Sequence, residues 1–147
     1  MTAFALVGGL CSVDLATARA DMFHFQVMTV RATAVGPCDA RLAVLRPRLR
    51  RVSGYRGFEL VDDVTRVIAV RSETAILLPE GRILRVLPKS ISADVFQMQV
   101  RLLDGRRRLV DTNLRMPTGG TLVVGLGPGV EAGEEATLFV LKASEIR

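Results

Sequence analysis

The segment Leu109–Lys142, LVDTNLRMPTGGTLVVGLGPGVEAGEEATLFVLK, carries the clearest strand pattern in the chain. Polar and apolar residues alternate over Leu109–Met116, a turn sequence follows, and the runs Thr121–Leu126 and Ala136–Leu141 are almost wholly apolar. Alternation with a period of two indicates a half-buried strand, whereas a continuous apolar run indicates a strand that is buried on both faces. We therefore expect an antiparallel unit of three strands at the centre of the fold, with the last of them in a central position.

A glycine-rich, acidic segment separates the last two of these strands. Its beginning, GLGPG over residues 125–129, resembles a phosphate-binding turn. Such a turn needs a helix directly after it, so that backbone N–H groups point at the phosphate. Pro128 lacks that donor, and residues 130–135 are acidic and interrupted by glycine. The segment is therefore predicted to be a hairpin loop.

The rest of the chain is also rich in strand patterns. The first strand is predicted over Met22–Ala34, and residues 94–116 form a long hairpin around Asp104-Gly105, a pair that favours a type I′ turn. Between them lie short alternating runs, separated by predicted turns at Asp62-Asp63, Ser72-Glu73, Pro79-Glu80-Gly81 and Pro88–Ala93.

One stretch has helical periodicity, residues 39–52. Its apolar residues recur at spacings of three and four, and Asp39 is a suitable N-cap. Pro47 removes a backbone donor and crowds the preceding turn. The sequence thus predicts a kinked helix, or two short helices meeting near Arg46, with the apolar stripe Leu42, Leu45, Leu49 and Val52.

These elements define a mainly β fold of the α+β type. We count about nine strands and one kinked helix (about 39–52) after the first strand. Helices do not alternate with strands, which argues against a parallel sheet. The expected architecture is an antiparallel β-sandwich or a partly open barrel, in a single β-rich domain over residues 21–147.

The amino terminus resembles an export signal. Ala3–Leu10 is a short apolar run, and Ala18-Arg19-Ala20 has the small-x-small pattern of a signal-peptidase site. Residues 1–20 are therefore predicted to be a signal peptide and the protein to be periplasmic or secreted. The alternative is that Phe4–Leu10 is one more element of the fold and the location is cytoplasmic. No run is long enough to span a bilayer, and Cys38 alone remains after cleavage.

Residues with catalytic chemistry are few and scattered. His24 is the single histidine and lies in a predicted strand, Cys38 precedes the helical stretch, and no metal-binding or nucleophile motif occurs. The pairs Asp62-Asp63 and Glu134-Glu135 are adjacent residues, which point to opposite faces of a strand. We predict no catalytic, metal or cofactor site, no cofactor, and no enzyme activity.

Arginine is the conspicuous surface residue. The formal charge is +5, and only two of the 20 basic residues are lysines. A basic surface attracts anionic polymers, and arginine binds phosphate and carboxylate groups in bidentate fashion. Scarce aromatic residues argue against base stacking. The candidate binding residues are the helical set Arg41, Arg48 and Arg51 and the hairpin set Arg106, Arg107 and Arg108, which form one patch only if both sets share a side of the molecule.

Residues 112–126, TNLRMPTGGTLVVGL, together with Ala136–Leu141, resemble the β-rich module near the end of secretins, the outer-membrane pores of bacterial secretion systems. In that family a strand, a glycine turn, a Thr-hydrophobic-hydrophobic-Gly strand and a last apolar strand follow one another. Gly125-Leu126 stands where the family has Gly-Gly, and the chain is too short for pore and ring-forming domains. The whole chain also resembles small exported proteins of GC-rich proteobacteria. The resemblance implies an envelope-associated β module without secretin activity.

Two functions fit these features. The first is a non-enzymatic exported domain that contacts an envelope protein, as an accessory or assembly component, because a sheet with free strand edges can accept a partner strand. Free edges also allow the chain to form an oligomer. The alternative is binding of an anionic ligand (an acidic glycan, a lipid head group or nucleic acid) through the arginine-rich faces.

Overall fold

The computed structural model describes residues 22–92, 94–126 and 135–146. The described residues form two four-stranded antiparallel sheets: sheet A has the strand order β2-β1-β8-β7, and sheet B has the order β3-β4-β5-β6. The expected mainly β fold is confirmed, and it is consistent with a β-sandwich without barrel closure. The strands are β1 (Met22–Thr33), β2 (Gly57–Ala69), β3 (Thr74–Leu77), β4 (Arg82–Ser92), β5 (Val95–Asp104), β6 (Arg107–Pro117), β7 (Thr121–Leu126) and β8 (Ala136–Glu145).

The main core lies between the two sheets. Odd-numbered residues of β1 and β8 point at sheet B, and the Phe23 and Phe96 rings meet across the interface with their centroids 4.6 Å apart. Phe25, Phe139 and Leu141 are buried in the same layer. Aliphatic and aromatic side chains on alternate positions thus hold the sheets together by burial of apolar surface.

A second core covers the other face of sheet A. Met28 and Val30 of β1 and Leu138 of β8 pack there against Leu42 and Leu49 of the helical segment. The middle of β1, Val27–Val30, and the run Leu138–Leu141 of β8 are therefore buried on both faces, as a continuous apolar run such as that of β8 requires. The predicted central position of the last strand is confirmed, because β8 lies between β1 and β7.

The helical segment consists of a 3-10 turn (Ala40–Leu42) and helix α1 (Arg46–Ser53), as the alternative of two short helices predicted. Pro47 lies in the first turn of α1, where its missing N–H has no helical partner to lose. Gly54 ends α1 in the left-handed conformation, with φ 77°. The predicted apolar stripe is only partly correct: the break rotates Val52 outward, and 59% of it is exposed.

One predicted turn is wrong, and a second is shorter than predicted. Asp62 and Asp63 lie inside β2, which pairs with the whole length of β1 and bypasses only Val61 in a β-bulge. Two predicted short strands are therefore one strand, which reduces nine to eight. In the same way β4 continues to Ser92 with a bulge at Lys89, where a turn was expected.

The predicted three-stranded central unit is also wrong. β6 and β7 belong to different sheets, and each forms an edge. The turn between them crosses the sandwich: Gly119 adopts φ 77°, and its N–H donates to the Ala143 carbonyl at 2.9 Å. A glycine turn signals a change of direction but does not state which sheet receives the next strand.

The long hairpin of β5 and β6 is confirmed, but its turn is not type I′. That type needs positive φ at both central residues. In the pair Gly105-Arg106 only Gly105 has it, at 61°, the pattern typical of type II′. The predicted signal peptide, residues 1–20, and the loop residues 127–134 lie outside the described residues.

Candidate functional site

The predicted helical arginines differ in what they contact. Arg41 Nε and Nη2 donate to the two carboxylate oxygens of Asp39 at 3.1 and 2.7 Å. The carboxylate also accepts from the backbone N–H groups of Arg41 and Leu60, at 3.0 and 3.3 Å. The Arg41 guanidinium, followed by these backbone donors, holds the pKa of Asp39 well below its usual range. Arg41 thus attaches the helical segment to β2.

Arg48 also has a structural contact. Its Nη1 donates to the Thr121 carbonyl at 3.2 Å, which joins α1 to the edge strand β7. Arg51 is exposed, as are its neighbours Arg46 and Arg50. Among the described residues, no hydrogen bond or ion pair engages these three side chains.

The hairpin arginines lie at the tip of β5 and β6. Arg108 Nη1 bonds to Asp111 at 3.1 Å, whereas Arg106 and Arg107 are exposed. The tip ends sheet B, and α1 covers the face of sheet A that points away from sheet B.

The outer face of sheet B carries a basic surface that sequence reasoning missed. Register places Gln97 opposite Arg115, Gln99 opposite Asn113, and Arg101 opposite Asp111. Lys89 Nζ donates to Asn113 Oδ1 at 3.0 Å, and Gln99 Nε2 donates to Asp111 Oδ1 at the same distance. We call the group Lys89, Gln97, Gln99, Arg101, Asn113 and Arg115 the basic face.

A shallow pocket of about 300 Å³ opens on this basic face, lined in part by Lys89, Gln97 and Arg115. The signal for it was present in the sequence. Polar and apolar residues alternate along β5. In the hairpin that turns at Gly105, residues at equal distances from the turn lie opposite each other, so the numbers of each pair sum to about 212. This rule alone predicts that Gln97 lies opposite Arg115.

The sheet edges form the second kind of surface. β3 is four residues long, and β7 has six residues and is contacted by α1 at Thr121. In contrast, β2 has 13 residues and β6 has 11, and within the described residues neither has a strand on its outer side. At the start of β2, residues 37–39 already bond to the backbone of Phe58, and Asp39 accepts from the Leu60 N–H. From Asp62 onward in β2, and along β6, rows of backbone donors and acceptors have no sheet partner within the described residues.

The other candidate residues lie apart. His24 is exposed, and Cys38 is half-buried with its Sγ 3.6 Å from the Asp39 carbonyl. A cleft of about 450 Å³ lies beside Cys38, and its lining includes Arg31 and Glu59, which form an ion pair at 3.4 Å. In the described part of the chain, no three His, Cys, Asp or Glu side chains converge as metal ligands would.

No protein-family model matches the chain, and no curated protein is significantly similar to it. Among the residues that the structure describes, no helix has the length and apolar character needed to cross a membrane. The fold defines a class, an antiparallel two-sheet domain with a helical layer on one sheet. The basic face and the strand edges are its two candidate contact surfaces.

Proposed function

We propose that this protein is a non-enzymatic β-domain of the bacterial envelope, periplasmic or secreted, that acts through protein contacts as an accessory or assembly component. The observation that carries the proposal is the pair of long free edges, β2 from Asp62 onward and β6. An extended segment of another protein adds to such an edge through main-chain hydrogen bonds, while side-chain positions select the partner.

The other two edges, β3 and β7, are short or covered, and this supports a role for β2 and β6 as contact surfaces. Natural sheets shorten or cover edges that would otherwise bind other chains. β3 is short, and Arg48 occupies the Thr121 carbonyl of β7. The envelope location is supported by the signal-like residues 1–20 and by the resemblance of residues 112–126 to the secretin module.

Site-specific photo-crosslinking in envelope preparations tests the proposal. A photoreactive amino acid at Thr65 of β2 or Asn113 of β6 should give a defined adduct with another protein. The same group at Arg50, exposed on α1, is the control and should give none. Equal labelling from all three positions, or none from either edge, would contradict strand addition. A full-length tagged copy retained in the cytoplasm would contradict the envelope assignment.

The second candidate function is binding of an anionic ligand, and the basic face favours it. Arg115 at this surface and Arg106 and Arg107 at the adjoining hairpin tip have no ion-pair partner among the described residues. Guanidinium groups bind carboxylate, sulfate or phosphate, and the neighbouring amides of Gln97 and Gln99 suit hydroxyl groups.

Heparin affinity measured against salt concentration tests this second function. Binding to a polyanion should weaken steeply with salt, because counterions are released. The double variant Arg101→Gln/Arg115→Gln should bind more weakly than the wild type. The control Arg46→Gln/Arg50→Gln removes the same charge from α1 and should bind as the wild type does. Salt-independent binding, or equal loss in both variants, would exclude the basic face, and parallel assays with anionic vesicles and duplex DNA distinguish the ligand class.

A further inference from the structure

The edge strand β2 carries two opposite charges at symmetric positions. Asp62 and Arg66 lie two residues on either side of Val64, and all three side chains are on one face of the strand. Within the described residues, neither charge has a hydrogen bond or an ion pair. This differs from the neighbouring carboxylates of β2, since Asp63 accepts from Gln26 at 2.9 Å and Glu59 pairs with Arg31.

This arrangement is complementary to itself when the strand is reversed. If Val64 lies opposite Val64 of a second copy, each Asp62 lies opposite an Arg66, and this pair occurs twice. Directly opposite side chains of an antiparallel pair are on the same face and about 5 Å apart, close enough for an ion pair. At each flank, Val61 of one copy approaches Val67 of the other. These side chains are 40% and 50% exposed.

The charges select one register. Only shifts that keep donors opposite acceptors are allowed, so the two-fold axis passes through a residue. An axis at Asp63 would place two carboxylates opposite each other, and an axis at Thr65 would place Arg66 opposite Val64. The axis at Val64 is the register in which both charges find partners. The bulge at Val61 ends regular pairing on one side and limits its length.

We infer that β2 pairs antiparallel with β2 of a second copy of this chain around Val64, which joins two sheets A into one continuous eight-stranded sheet. The contact is isologous, so each copy gives the same surface. Charged residues on an edge normally discourage pairing. Here their order makes them complementary in one register. The inference rests on the proposed function in that the free edges are contact surfaces, and it assigns a partner to one of them.

Sedimentation velocity of the full-length protein over a range of concentrations tests the inference. The wild type should be a dimer at high concentration. Asp62→Arg and Arg66→Asp each place two like charges opposite each other twice, and each should weaken the dimer by at least about tenfold. The two single variants mixed together should form a dimer with each other, because every introduced charge then faces its opposite. The double variant Asp62→Arg/Arg66→Asp should also recover the dimer.

β6 provides a matched control. Asp111 and Arg115 have the same spacing on the other long edge, but Asp111 is already engaged by Arg108 and Gln99. The variants Asp111→Arg and Arg115→Asp should therefore leave the dimer unchanged. A dimer that responds to the β6 charges and not to the β2 charges would overturn the inference, as would single variants that do not associate when mixed.

The outcomes separate this inference from the proposed function. A wild type that stays monomeric at every concentration overturns β2 self-pairing. If edge crosslinks to a different envelope protein persist in that case, the proposed function stands with another partner. If a β2 dimer forms and no crosslink to another protein is found, self-pairing stands and the envelope contact fails. Circular dichroism of every variant confirms that its strands have formed.

Discussion

The central strands of the two sheets differ in how they are covered. In β8 of sheet A, Leu138 is buried under the helical segment and its neighbour Phe139 is buried against sheet B. In β5 of sheet B, Val100 is buried, whereas its neighbour Arg101 lies on the basic face. A continuous apolar run therefore reports two covered faces, and alternation reports one.

This difference decides what each sheet can offer a ligand. Over its helical half, sheet A has no free face, because the 3-10 turn and α1 cover β1 and β8. Its long contact surface is the edge β2, where the main chain and a few charges are available. Sheet B offers the edge β6 and, within the described residues, the basic face as well. Partner strands fit the first arrangement, and an extended anion fits the second.

The largest expected effect comes from truncation on both faces of β8. Phe139→Ala should lower the free energy of unfolding by about 3–5 kcal/mol and Leu138→Ala by about 2–5 kcal/mol, because each leaves a cavity in a packed layer. On β5, Arg101→Ala should change it by no more than about 0.5 kcal/mol. Urea denaturation monitored by circular dichroism measures all three.

Val100→Ala provides the control for the inner face of β5 and should be clearly more destabilising than Arg101→Ala, since Val100 is 2% exposed. If Leu138→Ala changed the free energy of unfolding as little as Arg101→Ala does, the proposed difference between the two sheets would be contradicted. That result would mean that the helical segment adds no stability to sheet A.

The sequence was sufficient for elements whose signals are local. Four local signals predicted what the structure contains: the alternation in β5, the two-sided apolar run of β8, the N-cap Asp39 and the helix break near Arg46. Each of these depends on neighbouring residues alone, so no knowledge of the distant chain was needed.

Signals that depend on tertiary partners were missed. Asp62-Asp63 has the composition of a turn, yet β1 offers a strand partner along its whole length, and this pairing overrides the local preference. The sheet that receives β7 is set by packing, which the turn Pro117–Gly120 does not encode. Likewise, Arg41 and Arg48 look free in the sequence but contact Asp39 and Thr121 in the fold.

An intermediate effect is expected where β2 meets the segment before the helices. A Cβ at Gly57 would lie 3.1 Å from the Gly36 Cα, too close for unstrained packing. Gly57→Ala should therefore cost about 1–3 kcal/mol of stability. Hydrogen exchange should become faster at the Phe58 and Asp39 amides, which bridge these segments, and should not change in β5.

Gly105→Ala is the corresponding change in sheet B. Gly105 has φ 61° and open space around its Cα, so this variant bears only the conformational cost of the left-handed region, about 1 kcal/mol. If Gly57→Ala proved the milder of the two, close packing of β2 against residues 33–36 would not be a determinant of sheet A stability.

The smallest effect is expected at the attachment of the helical segment to sheet A, and it depends on pH. Because the Arg41 guanidinium lowers the pKa of Asp39, the ionised carboxylate stabilises the folded state above the ordinary pKa of an aspartate, about 3.9. This contribution is lost as pH falls below that value.

Asp39→Asn should therefore be less stable than the wild type near pH 6, and the difference should shrink as the pH approaches 2. Asp104→Asn, at the tip of sheet B, is the control for loss of a surface carboxylate in the same urea denaturation series, because this side chain has no hydrogen bond within the described residues. A constant gap between Asp39→Asn and the wild type from pH 6 to 2 would show that Asp39 acts as a neutral cap and that charge does not attach the helical segment to sheet A.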